Sequence, residues 1–171
     1  MNLEQLIRDV PDFPKKGIIF KDITPLIGSP EGFRGAINLL KRRYKGRGIE
    51  RVVAVESRGF IFGAALAYAL GAGFVPVRKP GKLPAATLRE EYALEYGTDA
   101  IEIHRDAIQA GQKVLVLDDV LATGGTLAAT CNLVRKLGGE IVEAATLIEL
   151  TFLHGRAKLG DLPYYTIMQV V

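Results

Sequence analysis

Apolar positions along the chain repeat with two periods, and the switches between them predict the elements. Leu3, Leu6, Ile7 and Val10 recur at helical spacing, with Asn2 placed to cap and Gln5 three residues on, so a helix is predicted there, stopped by Pro11. Ser29-Pro30 is a cap and first-turn pair for a second helix with Phe33, Ala36, Ile37, Leu40 and Tyr44 on its apolar face, ended by Gly46 and Gly48. RVVAVE (51–56) is a short β-branched run, SRG a turn, FIFGAALAYAL (60–70) a helix closed by Gly71, and GFVPVR (73–78) another strand. KVLVLD (113–118), a loop, TLAATCNLVRKL (126–137), Gly138-Gly139 and EIVEAATLIEL (140–150) repeat that order. Strand, helix, strand occurring twice with short turns predicts an α/β fold, a mainly parallel sheet flanked by helices. TLREEYALEY and TDAIEI alternate around Gly97-Thr98 and predict a hairpin.

Composition narrows the class. The chain has 171 residues, 49% of them hydrophobic, which suits a single domain over 1–171 with its own core. A net charge of +3, with the basic residues spread out, is too mild to argue for nucleic acid and suits a small anionic ligand. With Cys131 alone, neither a disulfide framework nor a cysteine zinc site can form within the chain, so a reducing, cytoplasmic setting is expected. Cys131 falls in register with Leu127, Val134 and Leu137 and is expected in the core. No apolar stretch approaches the roughly 18 to 20 residues a membrane span needs, and the charged N-terminal segment reads as unprocessed. His104 and His154 lack metal-ligand spacing and carry no predicted role.

The candidate chemistry lies in KVLVLDDVLATGGTLAAT (113–130), an apolar run ending on Asp118 and Asp119 and followed by a small-residue loop. In open α/β sheets ligands bind beyond the carboxyl ends of the strands, which is where this strand delivers both acids. Gly124 and Gly125 let successive N–H groups point into one concavity at a helix N-terminus, and Thr123 and Thr126 add hydroxyls. Such a nest takes a phosphate. Neither the GxxxxGK[ST] nor the GxGxxG spacing is present. A phosphate nest preceded by two carboxylates fits a ribose 5-phosphate, whose vicinal hydroxyls lie near its phosphate. One of the two acids could instead cap the next helix, a role that needs only one.

VLVLDDVLATGGT resembles the 5-phosphoribosyl 1-pyrophosphate (PRPP) motif of type I phosphoribosyltransferases. FPKKGIIFKDITPLI (13–27), ESRGFIFG (56–63), RKPGKLP (78–84) and LEYG (94–97) are in addition similar to the adenine-specific members of that family, over essentially the whole chain. The resemblance implies that family's fold, with an N-terminal hood and a flexible hairpin lid, and transfer of a phosphoribosyl group from PRPP to adenine with Mg²⁺ bound mainly through the diphosphate. No protein metal ligands are implied. A homodimer is implied, with neither nucleic-acid nor membrane partners.

The resemblance also implies a role for particular residues. Asp118 and Asp119 face the ribose hydroxyls, and Ala122, Thr123, Gly124, Gly125 and Thr126 cradle the 5-phosphate. Residues Glu56 to Gly59 form the pyrophosphate loop, with the triplet Ser57, Arg58 and Gly59 in a turn that in this family often holds a non-proline cis peptide and with Arg58 the cation on the leaving group. Taken alone, that triplet is an ordinary strand-to-helix turn. Arg78, Lys79 and Lys82 reach phosphates from the lid segment, Arg78 and Lys82 in some members across a dimer interface, whereas charge alone reads them as a solvated loop. Glu95 is the candidate for handling a purine proton, although the sequence leaves the general base open. Tyr96 faces the ribose or else packs. Phe20 stacks on the base, the backbone of Ile19 and Lys21 reads its edge, and Leu150 closes the opposite face; Phe13 and Ile18 are expected in the core. A transferase for a 6-oxo purine would keep the PRPP loop and change the base pocket. A PRPP-binding regulator would need a nucleic-acid reader, of which the chain shows neither an appended helix-turn-helix nor a basic stripe.

Overall fold

Five parallel strands organise most of the chain. The computed structural model describes residues 1–94 and 96–171, and its contacts divide the chain into two units, Met1–Arg43 and Tyr44–Val171.

In the first unit the helix predicted over residues 3–10 stops after one 3-10 turn, Leu3–Leu6, where Asn2 Oδ1 accepts from Glu4 N–H at 3.0 Å. Residues beyond it are extended because their backbone groups are claimed elsewhere: β1 (Arg8–Pro11) pairs antiparallel with β2 (Ile19–Asp22), Val10 opposite Phe20. Ion pairs Arg8–Asp22 (3.1 Å) and Lys21–Asp9 (2.6 Å) lace the ribbon. Phe13 and Ile18, expected in the core, are 51% and 40% exposed, since the connection that carries them projects from a two-stranded ribbon; Phe13 meets Phe20 edge-on at 5.2 Å. Two helices follow, α1 (Thr24–Gly28) and α2 (Pro30–Tyr44), with Ser29 Oγ accepting from Gly32 N–H at 3.1 Å as the cap predicted for the second.

The second unit runs β3 (Arg51–Val55), α3 (Arg58–Leu70), β4 (Gly73–Val77), β5 (Thr87–Ala93), β6 (Thr98–His104), β7 (Lys113–Leu121), α4 (Gly125–Lys136), β8 (Glu140–Leu150) and β9 (Tyr164–Val170). The sheet order is β4-β3-β7-β8-β9, all pairs parallel. Alternation along the strands divides the core. Val53, Val55, Val75, Val77, Val114 and Val116 share one face with Leu127, Leu133 and Val134 of α4, and Cys131 is 1% exposed among them. The intervening Val52, Ala54, Leu115 and Leu117 are fully buried on the other face, where α3 approaches so closely that a Cβ added to Gly63 would lie 2.6 Å from Ala54 Cβ.

The predicted hairpin is β5–β6, with Ala93 opposite Thr98. Its body is part of the packed core: Ile101 and Ile103 are fully buried, and Glu90 accepts from Lys136 Nζ of α4 at 2.5 Å. β7 does not end at Asp118. Its partner β3 leaves after Ala54 opposite Leu117, but β8 continues to pair, Asp118 opposite Thr146 and Leu121 opposite Glu149, which carries the strand three residues further. Among the described residues no helix is long and apolar enough to cross a membrane.

Candidate active site

Because β3 lies between β4 and β7, the chain segments leaving the carboxyl ends of these three strands are neighbours. After β3 comes Glu56, joined to Ser57 by a cis peptide, as the resemblance implied, and Arg58 opens α3. Gly59 has to be glycine: an added Cβ would lie 2.9 Å from Asp118 Oδ1 and 3.4 Å from Asp118 Cα. The absent side chain lets α3 start directly against the end of β7.

That contact assembles an ion pair. Arg58 Nε stands 2.6 Å from Oδ2 of Asp119, a residue only 5% exposed. The approach lacks hydrogen-bond alignment, so Oδ2 is a buried carboxylate oxygen close to a cation but without a hydrogen bond. Asp118 Oδ1 accepts from the N–H of Asp119 at 2.8 Å. Asp118 keeps some surface, but its carboxyl is enclosed against Gly59; burial first, and the negative charge of Asp119 second, hold it well above the ordinary carboxylate range.

Residues 122–126 form the loop from β7 into α4. Gly124 has φ +89°, a conformation in which a side chain is strained, and an added Cβ would lie 2.4 Å from Gly155 O. Gly155 in turn could not carry one, since it would lie 2.4 Å from Ala122 O. The segment after β8 thus braces the 122–126 loop backbone to backbone. Glu149, 4% exposed, holds that segment by accepting two bonds from Arg156 (2.6 and 2.7 Å), and the guanidinium beside it keeps its carboxyl below the usual range. Thr126 Oγ1 donates to Tyr92 OH of the hairpin at 3.2 Å, and Gly125 leaves room for the Tyr92 ring.

The cations after β4 all have acidic partners rather than being merely solvated. Glu56 Oε1 accepts from Arg78 Nε (3.3 Å) and from the backbone N–H of Lys79 (2.7 Å), and Oε2 accepts from Lys82 Nζ (2.6 Å). Lys79 Nζ pairs with Asp99 of β6, and Tyr92 OH lies 3.4 Å from the same ammonium. Burial opposes ionisation of Glu56, but Lys82, the Lys79 N–H and Arg78 outweigh it and lower its pKa.

The structure therefore brings Arg58, Gly59, Asp118 and Asp119 together, and ties Arg78, Lys79 and Lys82 to the turn after β3 and to the hairpin. Tyr96 lies at the hairpin tip, 85% exposed. Glu95 falls outside the described residues. Ile19, Phe20 and Lys21 lie on β2 of the first unit, Ile19 57% exposed, while Leu150 ends β8 in the second. Sequence reasoning placed Glu56 in the pyrophosphate loop without a role of its own and singled out none of Tyr92, Asp99, Glu149, Gly155 and Arg156. The available signal was an acid at the carboxyl end of a largely apolar strand, Glu56 directly after β3 and Glu149 one residue before the end of β8.

An open parallel sheet with a glycine turn at a helix N-terminus, paired carboxylates and converging cations at its carboxyl edge is the arrangement expected of a phosphoribosyltransferase. Residues 28–166 match the family model of the phosphoribosyl transferase domain. The adenine phosphoribosyltransferase of Geobacter metallireducens is 60% identical over 166 residues, 97% of each chain. The crystal structure of the Thermoanaerobacter pseudethanolicus adenine phosphoribosyltransferase agrees with a TM-score of 0.95 at 53% identity, over 99% of this chain and 100% of that one. The Saccharomyces cerevisiae adenine phosphoribosyltransferase, complexed with an imino-altritol bisphosphate and adenine, gives 0.91 at 43% identity over 96% of both chains. This chain belongs to the adenine phosphoribosyltransferase family.

Proposed function

We propose that this protein moves the 5-phosphoribosyl group of PRPP to N9 of adenine, releasing AMP and pyrophosphate, as a purine-salvage enzyme working as one domain over residues 1–171. The observation that carries the reading is Arg58 against the buried Asp119, beside the 122–126 loop at the carboxyl ends of adjacent strands.

In the transfer, the bond from ribose C1 to the diphosphate oxygen breaks, the bond to N9 forms, and positive charge develops at C1, as in glycoside chemistry. Asp118 and Asp119 accept hydrogen bonds from the ribose hydroxyls and set negative potential beside that cation. Ala122, Thr123, Gly124, Gly125 and Thr126 hold the 5-phosphate with backbone N–H and hydroxyl groups. Arg58, Arg78, Lys79 and Lys82, with Ser57 and Gly59, receive the diphosphate. Tyr96 faces the ribose as the hairpin tip closes, and Glu95 takes the proton leaving N9. Phe20 stacks on adenine, the backbone of Ile19 and Lys21 reads its edge, and Leu150 covers the other side. A backbone carbonyl there accepts from the exocyclic amine and would face a 6-oxo purine with a second acceptor, an unpaired contact that rejects it.

The donor set suits Mg²⁺ held mainly by substrate oxygens, since it offers two adjacent carboxylates, one with a buried oxygen free of hydrogen bonds. When bound, the ion would neutralise charge developing on the leaving diphosphate, with Asp118 and Asp119 the carboxylates available beside it. The enzyme acts in the cytoplasm as a homodimer, with adenine and PRPP as its small-molecule substrates and with neither nucleic-acid nor membrane partners; the buried, unpaired Cys131 supports a reducing setting.

The deciding assay is product formation from PRPP and Mg²⁺ with adenine, hypoxanthine or guanine. AMP alone is expected. A 6-oxo purine product would overturn the base pocket, and no product with any base would overturn the transferase reading.

A further inference from the structure

Glu56 is the meeting point of two segments. Three donors from residues 78–82 converge on its two oxygens, and its side chain is 12% exposed while those of Arg78 and Lys82 remain 36% and 46% exposed. It stands one residue before the Ser57–Gly59 turn, on the peptide that is cis. Converging cationic and backbone N–H donors are how proteins hold an anionic oxygen group, and here a carboxylate of the chain occupies that donor set.

We infer, resting on the function proposed above, that Glu56 is the resident counter-anion of the diphosphate subsite: it gathers Arg78 and Lys82 in the ligand-free protein and yields Lys82 to the diphosphate of PRPP. It is a positioning residue, acting through the cations it holds.

The two oxygens differ in what they can release. Oε1 accepts from the Lys79 backbone N–H, a donor fixed by the course of the chain, and from a guanidinium, whose planar fork fits a carboxylate. Oε2 holds only a lysine ammonium on a flexible four-carbon stem, half open to solvent. A diphosphate carries more negative charge than one carboxylate and offers more acceptors, so it takes the exposed ammonium and leaves the Oε1 contacts in place. Glu56 meanwhile stays ionised, since its three partners outweigh its burial, and its charge opposes that of the incoming ligand. Glu56 thus keeps the cations ordered without a ligand and limits how tightly pyrophosphate is retained.

A brace that merely joined the end of β3 to residues 78–82 would give the opposite sign on removal. Glu56→Gln keeps the size and an acceptor for the Lys79 N–H while removing the charge. Calorimetric titration with inorganic pyrophosphate is expected to show binding about fivefold tighter than wild type, the scale of one half-exposed ion pair. Pyrophosphate should inhibit AMP formation more strongly, and the KM for PRPP should fall while that for adenine holds. Unchanged or weaker pyrophosphate binding by the folded variant would overturn the inference. Should the variant not fold, wild-type protein with carboxyl-labelled glutamate provides the readout: the Glu56 carboxyl pKa should rise on adding pyrophosphate, and an unmoved resonance would overturn the inference equally. Wild-type protein that makes no AMP would instead sink the function on which the inference rests.

Discussion

Asp118 and Asp119 are adjacent, yet the pleat sends them to different surroundings, and this decides what each does. Asp119 is 5% exposed with Arg58 against it, so Asp119→Asn leaves the packing intact but removes the charge facing Arg58, the charge that the proposed mechanism sets beside the ribosyl cation. Steady-state turnover should fall by about 10²-fold or more, the order seen for lost transition-state electrostatics, with an unchanged thermal midpoint; unaltered kinetics would remove Asp119 from the site. Asp118 opposes stability at neutral pH. Unfolded, it ionises near 3.8; folded, burial and then the Asp119 charge hold it well above that value. As pH rises, the unfolded chain loses this proton first, so the stability contribution is complete below 3.8 and is lost as pH climbs through the folded value. Asp118→Asn should therefore raise the ligand-free thermal midpoint at neutral pH by roughly 2–4 °C, and the gain should vanish in acid. A gain that is the same at every pH would mean that packing, not ionisation, is responsible. Cys131 matches its sequence expectation, and burial pushes its thiol up to about 11.

Elements were legible wherever one periodicity ran long enough to bury a face. α2 begins at Pro30 and β8 spans 140–150, as the patterns predict. Residues 3–10 misled because four apolar positions at helical spacing are few, and the partner that claimed residues 8–11 was a strand whose position the spacing does not encode. β7 overran its predicted end for the same kind of reason, since pairing with β8 continued. The 122–126 loop shows how elements constrain one another. Gly124 needs its freedom for its own φ of +89° and again for the Gly155 carbonyl, 2.4 Å from an added Cβ. Gly124→Ala should displace the loop, raise the KM for PRPP by about tenfold or more and leave the KM for adenine nearly unchanged, given roughly 1–2 kcal/mol of left-handed strain plus the clash. Equal effects on both substrates in initial-rate kinetics would show that the loop does not serve the phosphate alone.

At the scale of the molecule, cations that read as scattered in the sequence meet acids from distant segments around one sheet edge: Arg58 with Asp119, Arg78 and Lys82 with Glu56, Lys79 with Asp99. On the proposed reading Mg²⁺ arrives with PRPP and is held mainly by its diphosphate. Removing Mg²⁺ with EDTA should accordingly weaken PRPP binding and suppress turnover while leaving the circular dichroism and thermal midpoint of the ligand-free protein unaltered. A midpoint that falls on chelation would reveal a structural ion. Periodicity by itself determined the parallel α/β architecture, and the D-D, T-G-G-T and E-S-R-G stretches carried the resemblance to the family, because burial patterns and glycine requirements are local and leave their mark residue by residue. Only the tertiary structure decided that Glu56 gathers the cations after β4, that Asp99 takes Lys79 and that Gly155 braces Gly124. Those partners lie 20 to 31 residues apart in the chain, and adjacency across strand ends and between packed backbones follows from sheet order, which no periodicity carries.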